Sequence, residues 1–514
     1  MSPSPSTPPR SDAEQIVLLT KELEWSRLKI QALEQRLRLE LIRKYGPKSE
    51  KLSDNQLALL DLEPGVSTEE VEAESRREPL PGASPATTAT KSRSGKHPGR
   101  QDLPASLPRV ERMIACTPEQ CVCKSCGKDK AVIGYEQSEQ LDVEPARYFV
   151  VVTRREKRAC RNCAEGVSAA PLPERIVDKG LVSDRVVIDT IVSKYSDHLP
   201  LYRQSAILER DAGVSISRAT MDGWIMRVGE MLIPVAGAMG GELVTGSYIQ
   251  ADETPVPVQM SDGRGKNHQA FLWQYGKPGG TVVFDFRMGR GREGPVKFLD
   301  GYEGILQTDG YAAYGRVGGS RMVHAACWAH ARRKVFDAVK LNPEDRMAAQ
   351  LVTRIDELFA VDAEARHAGL DHSARHALRG ERSGPLLEAM KKEMEQAQAA
   401  VLPASALGKA VSYTLSLWEK LTRFLEHPEL ELSNNSAENS MRPVVVGRKN
   451  WIHVGSEQAG PKVAAILSVV ETCRRLRLPV REYLAYVLPG LANVPVQRVT
   501  RYTPAAWAAS RSGK

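Results

Sequence analysis

A chain of 514 residues with 42% hydrophobic content can build several buried cores, and a formal charge of +8, from 71 basic and 63 acidic residues, is too modest to name a partner by itself. Eight cysteines are too few for a disulfide scaffold in a chain this long. No run approaches the roughly 18 uninterrupted apolar residues of a membrane span. The Ser/Pro-rich opening, Met1 to Arg10, lacks a basic-then-apolar signal pattern, so a cytoplasmic protein with no membrane partner is expected.

Residues 13–45 carry apolar side chains at alternating three- and four-residue spacing: Ile16, Leu19, Leu23, Ile30, Leu33 and Leu37, with Ser26 in the polar slot. This seam suits a coiled coil, either a weak dimer or a helical hairpin, or else one face of an ordinary packed helix. Gly46-Pro47 stops it. Residues 46–108 form a Pro/Ser/Thr-rich linker with a basic end, Lys91 to Arg100.

Within residues 109–170 stand Cys123-Lys-Ser-Cys126-Gly127 and Cys160-Arg-Asn-Cys163. Two such knuckles are a zinc-ribbon pattern, in which four thiolates close a tetrahedral structural Zn²⁺. The β-forming stretch Tyr148–Arg158 leads into the second knuckle, and its Arg154, Arg155, Lys157 and Arg158 are candidate DNA contacts. Residues 171–240 read as helical. Leu201 to Val228 has the form helix, Gly213 turn, helix, with Ser217 as cap and Met221, Trp224, Ile225 and Val228 on the apolar face. In a helix-turn-helix, Arg218 and Thr220 would stand early on the recognition helix. The competing reading is a helical brace for the core that follows.

That core begins in residues 241–340. Strands are expected at Tyr248–Ala251, Ala270–Tyr275, Thr281–Phe286, Gly304–Thr308 and Met322–Ala326, with helices between the later ones, which implies a mixed α/β sheet with helices on its faces. The first and fourth strands end in Asp252 and Asp309. Side by side, these carboxylates offer the hard oxygens a Mg²⁺ pair needs to straddle a phosphodiester. Glu253 should point the opposite way from Asp252. After the last strand, Cys327 to Lys334 opens a helix, with His330 as possible support for the carboxylates and Arg332, Arg333 and Lys334 as phosphate contacts.

Residues 341–430 read as an all-α insertion without a chemical motif. Residues 431–490 return to the core with a third carboxylate, Glu438, on a helix that Asn434 or Ser433 can cap and that Pro443 should soon end or bend. Arg442, Arg448, Lys449, Arg474 and Arg475 belong to a basic cluster that suits a polyanion. Residues 491–514 read as a loosely packed tail.

The blocks Ala251-Asp-Glu-Thr-Pro255, Leu306-Gln-Thr-Asp-Gly-Tyr311, Cys327-Trp-Ala-His-Ala-Arg-Arg-Lys334, Asn434-Asn-Ser-Ala-Glu438, Arg442-Pro443 and Gly447-Arg-Lys-Asn-Trp451 together resemble the IS66-type transposases of bacterial insertion sequences. The resemblance extends to Tyr45–Lys51, the zinc ribbon and Leu199-Pro-Leu-Tyr-Arg-Gln204. It implies an RNase H-like DDE core interrupted by the helical insertion, with Asp252, Asp309 and Glu438 as the acidic triad for two Mg²⁺ or Mn²⁺ ions. The implied partners are insertion-sequence end DNA and target DNA, in a homodimer or higher oligomer associated with the nucleoid, with two small accessory proteins of the element. Lys48 stands where relatives more often carry arginine, and Asn439 replaces a common basic residue. The alternatives are an RNase H-fold nuclease without strand transfer and an inactive DNA-binding protein of the element.

Overall fold

The computed structural model describes residues 12–45, 56–57, 128, 147–159, 167–171, 173–178, 180–260 and 267–512. Cys123, Cys126, Cys160, Cys163, Lys48 and the basic end of the linker lie outside the described residues. The chain divides into two compact units, one of Ser84–Thr153 with Asp211–Gly213, the other of Met1–Ala83, Arg154–Arg210 and Val214–Lys514. In the smaller unit, Phe149 to Val152 are exposed and form no ladder.

The larger unit opens with the helix α1 (Asp12–Tyr45). All six seam residues named above face solvent, from 52% exposed at Leu23 to 66% at Leu37. The strand expected over Tyr148–Arg158 is only Lys157–Ala159 (β1), paired antiparallel with Val167–Ala169 (β2). An aliphatic run becomes a strand only where its backbone finds a partner, and β2 spans three residues.

The helices α2 (Asp184–Tyr195), α3 (Leu201–Ala212) and α4 (Arg218–Val244) follow. Gly213 takes a left-handed φ of 66° just after α3, and the Ser217 hydroxyl accepts from Thr220 N to cap α4. Met221, Trp224, Ile225 and Val228 are buried in the same cluster as the sheet residues Ile249, Leu272 and Phe284. These helices therefore share the core with the sheet rather than enclosing one of their own.

The sheet contains β3 (Tyr248–Val258), β4 (His268–Gly276), β5 (Val282–Arg287), β6 (Ile305–Thr308) and β7 (Val323–Ala326), with the short α5 (Glu293–Phe298) before β6. Its order is β5-β4-β3-β6-β7, antiparallel from β5 to β3 and parallel from β3 to β7. Side chains alternate between its faces: Ile249 and Leu306 enter the cluster with α4, whereas Tyr248 and Ile305 enter a second cluster. That second cluster packs on α6 (Trp328–Leu341) and the insertion helices α7 (Arg346–His367), α9 (Gly384–Ala400), α10 (Ala406–Ser416) and α11 (Trp418–Thr422), with the short α8 (His372–Leu378) between α7 and α9.

The chain then forms α12 (Asn435–Trp451), α13 (Ala459–Arg475), α14 (Val480–Val487) and α15 (Pro504–Ser512). α13 covers the exposed side of β5: Val282 N donates to Thr472 Oγ1 (2.9 Å) and Phe284 N to Ser468 Oγ (2.8 Å). The final residues are not the loose tail the composition suggests. Trp507 is 5% exposed in the main core, and Tyr483 Oη donates to Tyr502 O at 2.6 Å.

Candidate active site

β3 does not end at Asp252 but continues to Val258, because β4 pairs with it over that whole length. Pro255 and Pro257 are tolerated there since their missing N–H groups face away from β4. Pro257 O, on that same side, accepts from Val454 N beyond the end of β6. The parallel register aligns Gln250 with Gln307, so Asp252 and Asp309 each stand two residues further along neighbouring segments. Asp309 leaves the sheet through Gly310, whose φ of 90° turns the chain away.

By strand alternation Asp252 shares its face with Tyr248 and Gln250, and α12 docks on that face through buried amides. Gln250 Nε2 donates to Ser433 O (2.9 Å), and Gln250 Oε1 accepts from Ala437 N (3.3 Å). Gln307 Nε2 donates to Glu431 O (2.7 Å), and Tyr248 Oη donates to Gln307 Oε1 (2.5 Å). This clasp fixes the backbone on both sides of the helix start and so brings Glu438 into the electrostatic field of Asp252. Asn434 occupies the capping position, yet its side chain caps nothing and both amide atoms are buried without partners. The docking of the backbone replaces the expected cap.

Pro443 neither ends nor stops α12, which runs through it. Proline removes the donor that Asn439 O would have received in a regular helix, and Arg474 Nη2 reaches that carbonyl instead, at 3.4 Å.

The electrostatics show how crowded the carboxylates are. Burial, reinforced by the charges of Glu438, Glu253 and Asp309, pushes Asp252 well above the usual carboxylate range, although Glu253 N donates to its Oδ1 at 2.9 Å. Glu253 points to the other face, where Arg290 donates to Oε1 (2.6 and 3.0 Å) and Tyr314 Oη donates to Oε2 (3.0 Å). Glu438 faces His330 Nδ1 at 3.6 Å and Arg333 at 3.8 Å, and its buried Oε1 has no hydrogen-bond partner. Burial favours neutral His330, but Cys327 and Glu438 outweigh it and push the imidazole up to about 9. Among the described residues, no three His, Cys, Asp or Glu side chains are close enough together to form a metal-holding group. The carboxylates thus share one field without being closed on a common point. An all-oxygen set with an orphaned Glu438 oxygen and a charge-stressed Asp252 fits a hard divalent cation.

Residues 179–462 match the family described as Transposase IS66 family. The chain belongs to the IS66 transposase family. It is an enzyme of the DDE transposase type. Residues 32–112 match Transposase C of IS166 homeodomain, and residues 120–164, which hold all four knuckle cysteines, match the zinc-finger binding domain of transposase IS66. The transposase is 33% identical over 471 residues to the uncharacterized protein y4qI of Sinorhizobium fredii, covering 87% of this chain and 84% of that one. It is 31% identical over 499 residues to y4hP of the same organism, covering 92% and 87%.

The transposase does not present all of its expected DNA contacts. Arg332, 5% exposed, gives both carboxylate oxygens of Asp356 a hydrogen bond (2.7 and 3.0 Å). Arg475, 3% exposed, donates to Glu471 at 2.8 Å. Both are braces inside the fold, because a guanidinium buried in an ion pair cannot reach a phosphate. Arg474 is part-buried on Glu471 and Asn439, and Arg448 ties α12 to Thr254 and Pro255. Arg154, Arg155, Lys157, Arg158, Arg218, Thr220, Lys334 and Lys449 are exposed, while Arg333 and Arg442 are half-buried. The residues missed by motif reading are Gln250, Gln307 and Arg290. A signal for the first two was present, since Gln-x-Asp occurs in both strands.

Proposed function

We propose that the transposase cleaves insertion-sequence ends and joins them to target DNA by phosphoryl transfer on an RNase H-like core, with Asp252, Asp309 and Glu438 as ligands of two Mg²⁺ or Mn²⁺ ions. The observation that supports this is that burial, with the charges of Glu438, Glu253 and Asp309 added, destabilises Asp252 as an anion, so that carboxylates from distant segments act on one another. When bound, such ions supply Lewis-acid stabilisation of the attacking and leaving oxygens. Water attacks phosphorus at the element's end, its proton goes to solvent, and the bond from phosphorus to the 3′-oxygen breaks. The freed 3′-hydroxyl then attacks a target phosphodiester, displacing a 3′-oxygen of the target strand. His330 and Arg333 hold Glu438 at its place in the site. The zinc knuckles would contribute a structural Zn²⁺ and basic DNA contacts, and the seam of α1 would join copies of the chain. Incubating intact and pre-cleaved end DNA, each with a target plasmid, the full chain and Mg²⁺, tests the reading. Joined product is expected; cleavage without joining would leave a nuclease, and neither would leave a DNA-binding protein.

A further inference from the structure

Where α12 ends, the chain bends round a cavity of about 200 Å³, lined among others by Lys194 of α2, Asp222 and Met226 of α4, and Trp451, His453 and Ser456. That is smaller than the roughly 300–1,000 Å³ of sites for drug-sized ligands, and it suits one flat heteroaromatic ring. Trp451 and Met226 offer apolar faces. Asp222, Ser456, His453 and Lys194 offer acceptors and donors for the ring's edge.

The lip of the cavity is strained. Ile452 has φ 68°, a conformation that a β-branched side chain rarely adopts, and its side chain is held 63% exposed. Exposed Lys449 lies one turn before it on α12. An aliphatic group projected beside a ring-sized hole, near positive charge, is what prises a base step apart and receives the displaced base.

The cavity is also tied to the carboxylates. Val454, in its wall, bridges to β3 through Val454 N to Pro257 O and Gln259 N to Val454 O, both 2.9 Å. From Asp252 to Val258, β3 covers about 20 Å at about 3.3 Å per residue, or about six nucleotides at a stacked rise of about 3.4 Å.

We infer that this cavity receives one unstacked base of the end DNA, with Ile452 as wedge and Trp451 as stacking platform, within about six nucleotides of the scissile phosphate. The inference rests on the DNA-cleaving reading above. To test it, affinity of the full chain is measured on a duplex carrying one end of the insertion sequence that encodes it. The duplex is used unmodified and with one abasic nucleotide placed in turn at each position near the cleavage point.

Trp451→Ala should weaken binding of the unmodified duplex about tenfold, and the gap should vanish at one abasic position alone, where there is no base left to stack. Ile452→Gly, which accepts the left-handed φ freely, should keep or raise the melting temperature yet show the same position-specific loss, and it carries the test if Trp451→Ala fails to fold. A gap that is absent, or equal at every position, overturns the pocket while leaving end binding and cleavage intact. A parent chain that binds no end DNA overturns both readings.

Discussion

Arg474 Nη2 lies 3.4 Å from the backbone carbonyl of Asn439, the acceptor that Pro443 deprives of its helical partner. A helix can pass through proline when a side chain from outside supplies the lost donor, and here the rescued carbonyl is next to Glu438. Arg474→Met should therefore cost about 1–3 kcal/mol for the unpaired buried acceptor and lower cleavage as well, since the turn bearing Glu438 loosens. Thermal melting together with a cleavage assay checks it; unchanged values in both would show that the helix needs no such rescue.

The charge stress on Asp252 has two signatures. Asp252→Asn should abolish strand cleavage, by at least about a thousandfold, while end-DNA binding persists. Because the folded pKa lies above the unfolded one, Asp252 opposes folding at neutral pH, and this penalty shrinks as pH falls below the folded value and is gone only below the unfolded value of about 3.9. The metal-free Asp252→Asn protein should accordingly melt higher than the parent at pH 7, with the difference shrinking in acid. Equal melting temperatures at pH 7 would contradict the crowding.

The amide clasp makes a separate demand. Gln250→Leu removes the donor that Ser433 O receives and the longer of the two acceptors of Ala437 N, which keeps Asn434 O at 3.0 Å, at a cost of about 1–3 kcal/mol. Cleavage should fall while zinc content stays constant. A variant that melts lower but cleaves at the parental rate would limit the clasp to stability.

Within the insertion, Arg379 and Arg375 donate to buried Asp362 (2.7 Å each), and Arg375 and Arg366 also meet Glu431, seven residues before Glu438. Burial alone would raise Asp362, but the two arginines outweigh it and hold its carboxyl below the usual range. Its contribution is then complete above the unfolded value of about 3.9 and is lost as pH falls through the lower folded value. Asp362→Asn should cost about 3–5 kcal/mol at pH 7, and denaturant titrations of parent and variant should converge below about pH 4.

The seam of α1 makes an oligomerisation prediction. Leu23→Glu with Leu33→Glu places like charges at exposed seam positions and should shift the full chain to a smaller species in light scattering. An unchanged mass would assign assembly elsewhere.

Local chemistry was enough to read the β-forming runs that carry Asp252 and precede Asp309, the capped α4, the helical insertion and the likeness to the IS66 family, because each depends on neighbours within a few residues. The cap at Asn434, the stop at Pro443, the end of β3 at Asp252 and the surface roles of Arg332 and Arg475 all read differently in the fold. A distant segment supplied the partner in four of them: Gln250 for α12, Arg474 for Asn439 O, β4 for β3 and Asp356 for Arg332, whereas Arg475 meets Glu471 one turn back on its own helix and is turned inward by the burial of α13. Sequence alone decides which groups need satisfying; only tertiary packing decides which remote group satisfies them, because burial removes the water that would otherwise serve.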